Sequence, residues 1–208
     1  MVGEGVMLEC LENPAVAEVL IVNRKPQGTV HHKLKECIVP DFLTMENAPV
    51  ETADYDACFF CAGVSSVGKS EAEYTRITYD TTLHFAEQLA RMNPAMVFTY
   101  VSGLGTDSTE QGKTMWARVK GRTENALTRV GFRAMYNFRP GFMKSTLGQK
   151  NLSGYYHLFA WLYPVLRVTL PKMACTLSEV GQAMIHSVTK GYPKTVLEVA
   201  DIKVLARS

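Results

Sequence analysis

Four short stretches of the chain carry residue types suited to chemistry. Ser102 ends the run Met96–Ser102 (MVFTYVS), and a glycine turn, Gly103-Leu104-Gly105-Thr106, follows it. A serine at the carboxyl end of a strand stands where open α/β sheets place their ligands. Lys120 lies on the helix-period stretch Thr114–Arg129, with Trp116 four residues before it, so the two share one face. The run Tyr55–Cys61 (YDACFFC) ends in Ala62-Gly63, where small residues let backbone approach a ligand closely. Gly3 opens a helical stretch, and 20 residues further on comes Asn23, followed by Arg24 and Lys25. In a dinucleotide fingerprint the residue near that spacing meets the ribose 2′-OH. A guanidinium there suits a 2′-phosphate, so the implied cofactor is NADP(H), with NAD(H) the alternative. A solvated basic turn is the competing reading.

Other chemistry-bearing residues read as structure. Cys58 and Cys61 have the spacing of a redox or zinc pair. On a strand, positions three apart point to opposite faces, so two core cysteines are expected instead. His31 and His32 fall in the polar stretch after Arg24, which reads as a solvated loop and not as a metal site. Ten methionines are scattered as gap-fillers. His157, with Tyr155, Tyr156 and Trp161, reads as core packing, with a substrate cleft as the alternative.

The elements that must position these residues alternate along the chain. Strand-like runs are Glu18–Asn23 (EVLIVN), Tyr55–Cys61, Met96–Ser102, Phe132–Phe138 and Thr195–Val199. Helix-period stretches are Gly5–Glu12, Glu71–Met92, Thr114–Arg129 and Leu177–Thr189. Nearly continuous apolar strands alternating with helices predict a doubly wound parallel sheet covered on both faces. Asn13-Pro14 and Asn93-Pro94 end two of the helices, because the residue before proline disfavours the α region. A doubly wound fold opens on a strand, yet this chain opens on a helix.

Bulk properties bound the answer. The 208 residues suit one domain, 1–208, with a sizeable core. A net charge of +2 gives no electrostatic case for a nucleic-acid partner. Five cysteines, an odd count, and a start without an apolar leader point to a reducing cytoplasmic setting. The most apolar stretch, 155–170, is 16 residues long and interrupted by His157, Pro164 and Arg167. It falls short of the roughly 20 residues that span a bilayer, so no integral membrane segment is expected. A packed helix pair or cleft lid is the first reading of it, and a membrane-surface contact the second.

The segments VGEGVMLECLENPAVAEVLIVNR, DACFFCAGVSS, YVSGLGTDS, ARVKGRTENAL and FRPGF occur in one order over nearly the whole chain. Together they resemble an atypical short-chain dehydrogenase/reductase of the NAD-dependent epimerase/dehydratase branch. The resemblance implies an NAD(P)-binding Rossmann-like fold. It aligns Gly3 with the last glycine of the family's G-x-x-G-x-x-G turn, and Asn23 and Arg24 with the ribose and 2′-phosphate positions. Ala62 and Gly63 fall against the adenosine. Ser102 matches the catalytic serine that hydrogen-bonds the substrate carbonyl. Lys120 matches the lysine of the Y-x-x-x-K pair, which holds the nicotinamide ribose. Arg139, Pro140 and Gly141 match the turn beside the nicotinamide.

Two departures qualify the resemblance. The tyrosine of Y-x-x-x-K is Trp116, and an indole is a donor without usable acid–base chemistry. Tyr100, Tyr136 or a water is the expected substitute proton source. The family's first strand and opening glycines have no counterpart, through either a start assigned inside the motif or a genuine remnant. In the family pattern that strand sits centrally, between 18–23 and 55–61. Its loss is expected to leave unpaired backbone and weak cofactor affinity. The first functional reading is an NADP-preferring oxidoreductase or epimerase acting on a small organic or nucleotide-linked substrate. The second is a non-catalytic nucleotide-sensing or protein-interaction module on the same scaffold. An inactive fragment is the third.

Overall fold

The computed structural model describes residues 1–43, 52–146, 148–149, 163 and 166–208. The 155–170 stretch, His157 included, lies outside them apart from Tyr163 and 166–170. The chain opens on helix α1 (Val2–Glu12), which stops at Asn13, in extended conformation before Pro14. Two parallel strands follow, β1 (Val19–Asn23) and β2 (Leu34–Ile38). After β3 (Ala57–Phe60) a long helical segment runs from α2 (Glu71–Thr75) through a π-turn at Arg76–Asp80 into α3 (Thr81–Met92). Ser70 caps its start by accepting from the Glu73 amide. Then come β4 (Val97–Val101), α4 (Met115–Leu127), β5 (Ala134–Arg139), β6 (Phe142–Lys144) and β7 (Ala174–Thr176). The last elements are α5 (Leu177–Thr189), β8 (Val196–Glu198) and α6 (Val199–Ala206).

All the strand pairs are parallel. The main sheet has the order β3-β4-β5-β8, and β6-β7 and β1-β2 are separate pairs. Its central strand β4, VFTYV, is β-branched and aromatic, and four of its five residues are buried. Helices cover both faces. On one side Val6 and Cys10 of α1, Val180 and Met184 of α5, and Ile202 of α6 pack on Val97, Phe138 and Leu197. On the other, Phe85 and Leu89 of α3 and Leu127 of α4 pack on Phe60, Phe98 and Tyr100. Residues 82, 85, 86 and 89 are the buried ones of α3, the spacing of one helical face. The α5 start is fixed by a reciprocal cap between Thr176 and Glu179.

The strand expected at 18–23 does not join those expected at 55–61, 96–102 and 132–138. It pairs instead with 34–38, a segment that reads as polar loop. Among the described residues no strand stands between β1 and β3 to carry a ladder from one to the other. Cys58 of β3 and Cys61, the residue after it, do sit on opposite faces of the sheet, one in each apolar cluster. Burial raises both thiol pKa values, Cys61 to about 12, so neither is a ready thiolate.

Candidate functional site

The residues singled out by sequence separate into two groups. The first lies at the carboxyl ends of β4 and β5. The Ser102 amide donates to the Phe138 carbonyl at 2.9 Å, which fixes its backbone beside Arg139. The Ser102 hydroxyl donates to Glu124 Oε1 at 2.5 Å, and only 5% of the residue is exposed. Lys120 Nζ donates to the Ser102 carbonyl oxygen, so these two residues meet directly. Glu124, one turn further along α4, was passed over by sequence reasoning. It is 1% exposed and accepts from Arg139 Nε at 3.0 Å and from Arg139 Nη2 at 2.5 Å. Arg139 also reaches Glu198 at 3.2 Å and the Ser108 hydroxyl at 2.5 Å.

Burial pushes the Lys120 ammonium down to about 8, against the opposing pull of Glu124. Trp116 lies one turn before Lys120, its ring against the Gly105 turn. The phenols weighed as its substitutes point elsewhere. Tyr100 is 1% exposed and burial drives its pKa up. The Tyr136 hydroxyl accepts from the Tyr192 amide at 3.1 Å. Pro140 and Gly141 close this group: Leu104 donates to the Pro140 carbonyl at 2.9 Å, and Gly141 lies against Met173.

The second group is Gly3, Asn23, Arg24, Ala62 and Gly63, which together line one cavity of about 1480 Å³. Gly3 sits where a Cβ would come within 3.3 Å of Cys61 Cβ. Close helix–strand approach of that kind is what the last glycine of a dinucleotide turn permits. Ala62, Gly63 and Arg24 are exposed, and no atom lies within 4 Å of a Cβ placed at Gly63. Asn23 Nδ2 donates to Glu36 Oε1 at 3.3 Å. That carboxylate belongs to β2 and was not singled out. The ribose end of a dinucleotide therefore fits the residues present. Among the described residues, Gly3 and the α1 amino terminus are the groups a pyrophosphate there would meet. Ser102, Lys120, Arg139, Pro140 and Gly141 do not line this cavity. Among the described residues no group of His, Cys, Asp or Glu is arranged to hold a metal ion. Among them, too, no helix is long and apolar enough to cross a membrane.

No protein-family model matches the chain. No curated protein matches it in sequence. Its fold, an open α/β parallel sheet, is a Rossmann-like fold shared with solved reductase and epimerase structures. Among solved structures, the PhqB reductase domain from Penicillium fellutanum is similar at TM-score 0.67 and 14% identity, over 96% of this chain and 64% of that one. The chain thus spans under two thirds of that domain's length. WbmF from Bordetella bronchiseptica, solved with NAD+, is similar at TM-score 0.65 and 15% identity, over 98% of this chain and 73% of that one. The ADP-L-glycero-D-manno-heptose-6-epimerase of Helicobacter pylori is similar at TM-score 0.62 and 13% identity, over 100% of this chain and 78% of that one.

Proposed function

We propose that this chain binds a nicotinamide dinucleotide, NADP(H) in preference to NAD(H). It then acts as an oxidoreductase or epimerase on a small organic or nucleotide-linked substrate in the cytoplasm. The observation that carries this reading is that Gly3, Asn23, Arg24, Ala62 and Gly63 share one cavity, which runs along β1 and β3 and reaches their carboxyl ends. Open α/β sheets bind ligands at that edge. Asn23 and Arg24 would hold the adenosine ribose and its 2′-phosphate, and Ala62 and Gly63 would lie against the adenosine. Arg139, Pro140 and Gly141 would border the nicotinamide end. The nicotinamide, when bound, supplies hydride transfer.

Proton delivery falls to Lys120 in this reading. General acids work best with a pKa near the working pH, and burial brings this ammonium to about 8. Trp116 has no proton to give, and the Ser102 hydroxyl is turned into Glu124. Those two features favour the second reading, a nucleotide-sensing or interaction module without turnover. The test is a fluorescence titration of NADPH and NADH into the chain, followed by a search for NADPH oxidation over carbonyl and nucleotide-sugar substrates. Saturable binding with turnover that Lys120→Met abolishes supports the enzyme. Binding without turnover supports the module, and no binding of either cofactor refutes both.

A further inference from the structure

Charge is unevenly spread along the chain. All 20 acidic residues lie outside 125–178, the interval between Glu124 and Glu179. After Gly141 that interval is also rich in aromatic residues, among them Tyr155, Tyr156, Phe159, Trp161 and Tyr163. Its Lys and Arg residues there are Lys144, Lys150, Arg167 and Lys172. A composition that is apolar, aromatic and basic without acid suits a lipid–water boundary. Aliphatic side chains enter the acyl edge, tyrosine and tryptophan sit at the headgroups, and cations meet anionic lipid.

The described residues of this interval bring such side chains to the surface. β6 alternates, so Phe142 and Lys144 share its exposed face. The Phe142 amide donates to the Met173 carbonyl at 2.7 Å, and the Met173 amide to the Leu170 carbonyl at 2.9 Å. The 166–173 turn therefore lies beside β6. From that turn Arg167, Val168, Leu170 and Lys172 stand out, with Val168 80% and Leu170 41% exposed. α6 borders the same turn: Lys203 Nζ donates to the Pro171 carbonyl at 2.7 Å, and the neighbouring Val204 is 62% exposed. Exposed apolar side chains gathered in one place and rimmed by polar ones mark an interaction site.

The carboxylates of the flanking elements are engaged elsewhere. Glu179 accepts from the Thr176 amide at 2.8 Å and stands 3.8 Å from Arg207, and Asp201 pairs with Lys194 at 2.7 Å. The cations of this face thus meet an anion from outside. They come from three elements, β6, the turn and α6, spread around the aliphatic side chains. A fluid layer of headgroups adjusts to such a spread better than the fixed carboxylates of a folded partner. Valine and leucine neither stack on bases nor hydrogen-bond them, so a nucleic acid fits poorly. We infer that this face, centred on Arg167, Val168, Leu170 and Lys172, docks the protein on the surface of an anionic lipid bilayer. The docking is peripheral, with Val168 and Leu170 entering the headgroup layer.

The experiment is co-sedimentation of the 208-residue chain with phosphatidylcholine vesicles, with and without about 30% phosphatidylserine. The chain is expected to bind the anionic vesicles, and to be released as salt rises from about 0.1 M to about 0.5 M. Each cation near such a surface is worth roughly a fivefold change in partitioning. Arg167→Glu with Lys172→Glu should therefore weaken binding at least about tenfold. Val168→Ser with Leu170→Ser should weaken it about tenfold through lost apolar burial. All four positions are exposed, so both pairs should keep the melting temperature of the unmodified chain. Arg91→Glu with Lys113→Glu makes the same change in net charge at exposed positions elsewhere, and should leave binding unchanged. Equal binding of neutral and anionic vesicles overturns the proposal, as does no binding of either. An equal loss in the control pair overturns it too. Self-association without vesicles that Val168→Ser with Leu170→Ser abolishes would assign the face to a second copy, which also overturns it.

Discussion

Arg139 grips Glu124 through two hydrogen bonds, Nε to Oε1 at 3.0 Å and Nη2 to Oε2 at 2.5 Å, inside the protein. The pair ties α4 to the end of β5, and the Ser102 hydroxyl completes the carboxylate's partners from the end of β4. A bidentate guanidinium–carboxylate pair with its remaining positions satisfied is the geometry in which a buried ion pair holds.

Breaking that pair should be costly because it leaves a buried charge alone. Glu124→Ala is expected to lower stability by about 3–5 kcal/mol. Ser102→Ala removes one hydrogen bond to a charged group and should cost about 1.5–3 kcal/mol. Urea unfolding of both variants measures this. A loss below about 1 kcal/mol for Glu124→Ala would mean that Arg139 is held by Glu198 and Ser108 alone. NADPH affinity should be unchanged in Ser102→Ala, since that hydroxyl faces Glu124 and not the cavity.

Lys120 makes a pH-dependent contribution of opposite sense to a surface lysine. Its folded-state pKa, about 8, lies below the ordinary 10.5. Between those values the unfolded chain binds more protons than the folded one, so stability rises with pH across that window. Below about 8 the charged, buried ammonium carries its full cost. The stability of the unmodified chain relative to Lys120→Met should therefore increase from pH 8 to pH 10.5, by about 3 kcal/mol in all. The buried thiols titrate alike in both proteins and cancel. A flat difference would place the Lys120 ammonium in water.

Gly121 is the contact that seats the 106–108 turn on α4. A Cβ there would stand 1.8 Å from the Asp107 carbonyl oxygen, so backbone must move to accept even alanine. The same turn supplies Ser108 to Arg139. Gly121→Ala should cost about 1–3 kcal/mol by overpacking, read as a lower melting temperature. Gly63→Ala, where no atom lies within 4 Å of the new Cβ, is the control that should leave stability unchanged.

The sequence made β3, β4 and β5 legible because each is an apolar run between turn residues, and α3 because its apolar positions recur at helical spacing. β2 escaped because its exposed residues, Lys35, Glu36 and Ile38, break both the alternation and the apolar run. β6 and β7, three residues each, are too short to show a period. The helix Val199–Ala206 was hidden by the strand reading of Thr195–Val199, which runs straight into it. The meeting of Ser102 and Lys120 could be anticipated from motif order. Glu124 could not: a carboxylate on a helix reads as a solvated charge, and its partner lies 15 residues away on another element.

In the proposed reading, cofactor choice would turn on two side chains, Arg24 just after β1 and Glu36 of β2. Arg24 is exposed and lines the cavity, where its guanidinium can pair with a 2′-phosphate. Glu36 stands beside Asn23 and accepts its amide at 3.3 Å, where a carboxylate suits a bare ribose 2′-OH and repels a phosphate. The two act in opposite directions. Glu36, however, is already engaged by Asn23 and by the Gln27 amide at 2.9 Å, so its lone pairs are partly satisfied away from the ligand. Arg24 should therefore prevail. Arg24→Ala is expected to weaken NADPH binding by about 1.5–3 kcal/mol, the worth of a hydrogen bond to a charged group, and to leave NADH binding unchanged. Glu36→Gln should move the ratio the other way. Fluorescence titration of both cofactors into the three proteins decides it. An unmodified protein with equal affinity for the two cofactors, or a ratio unmoved by Arg24→Ala, would remove Arg24 from the 2′-phosphate position and leave Glu36 in control of the ribose.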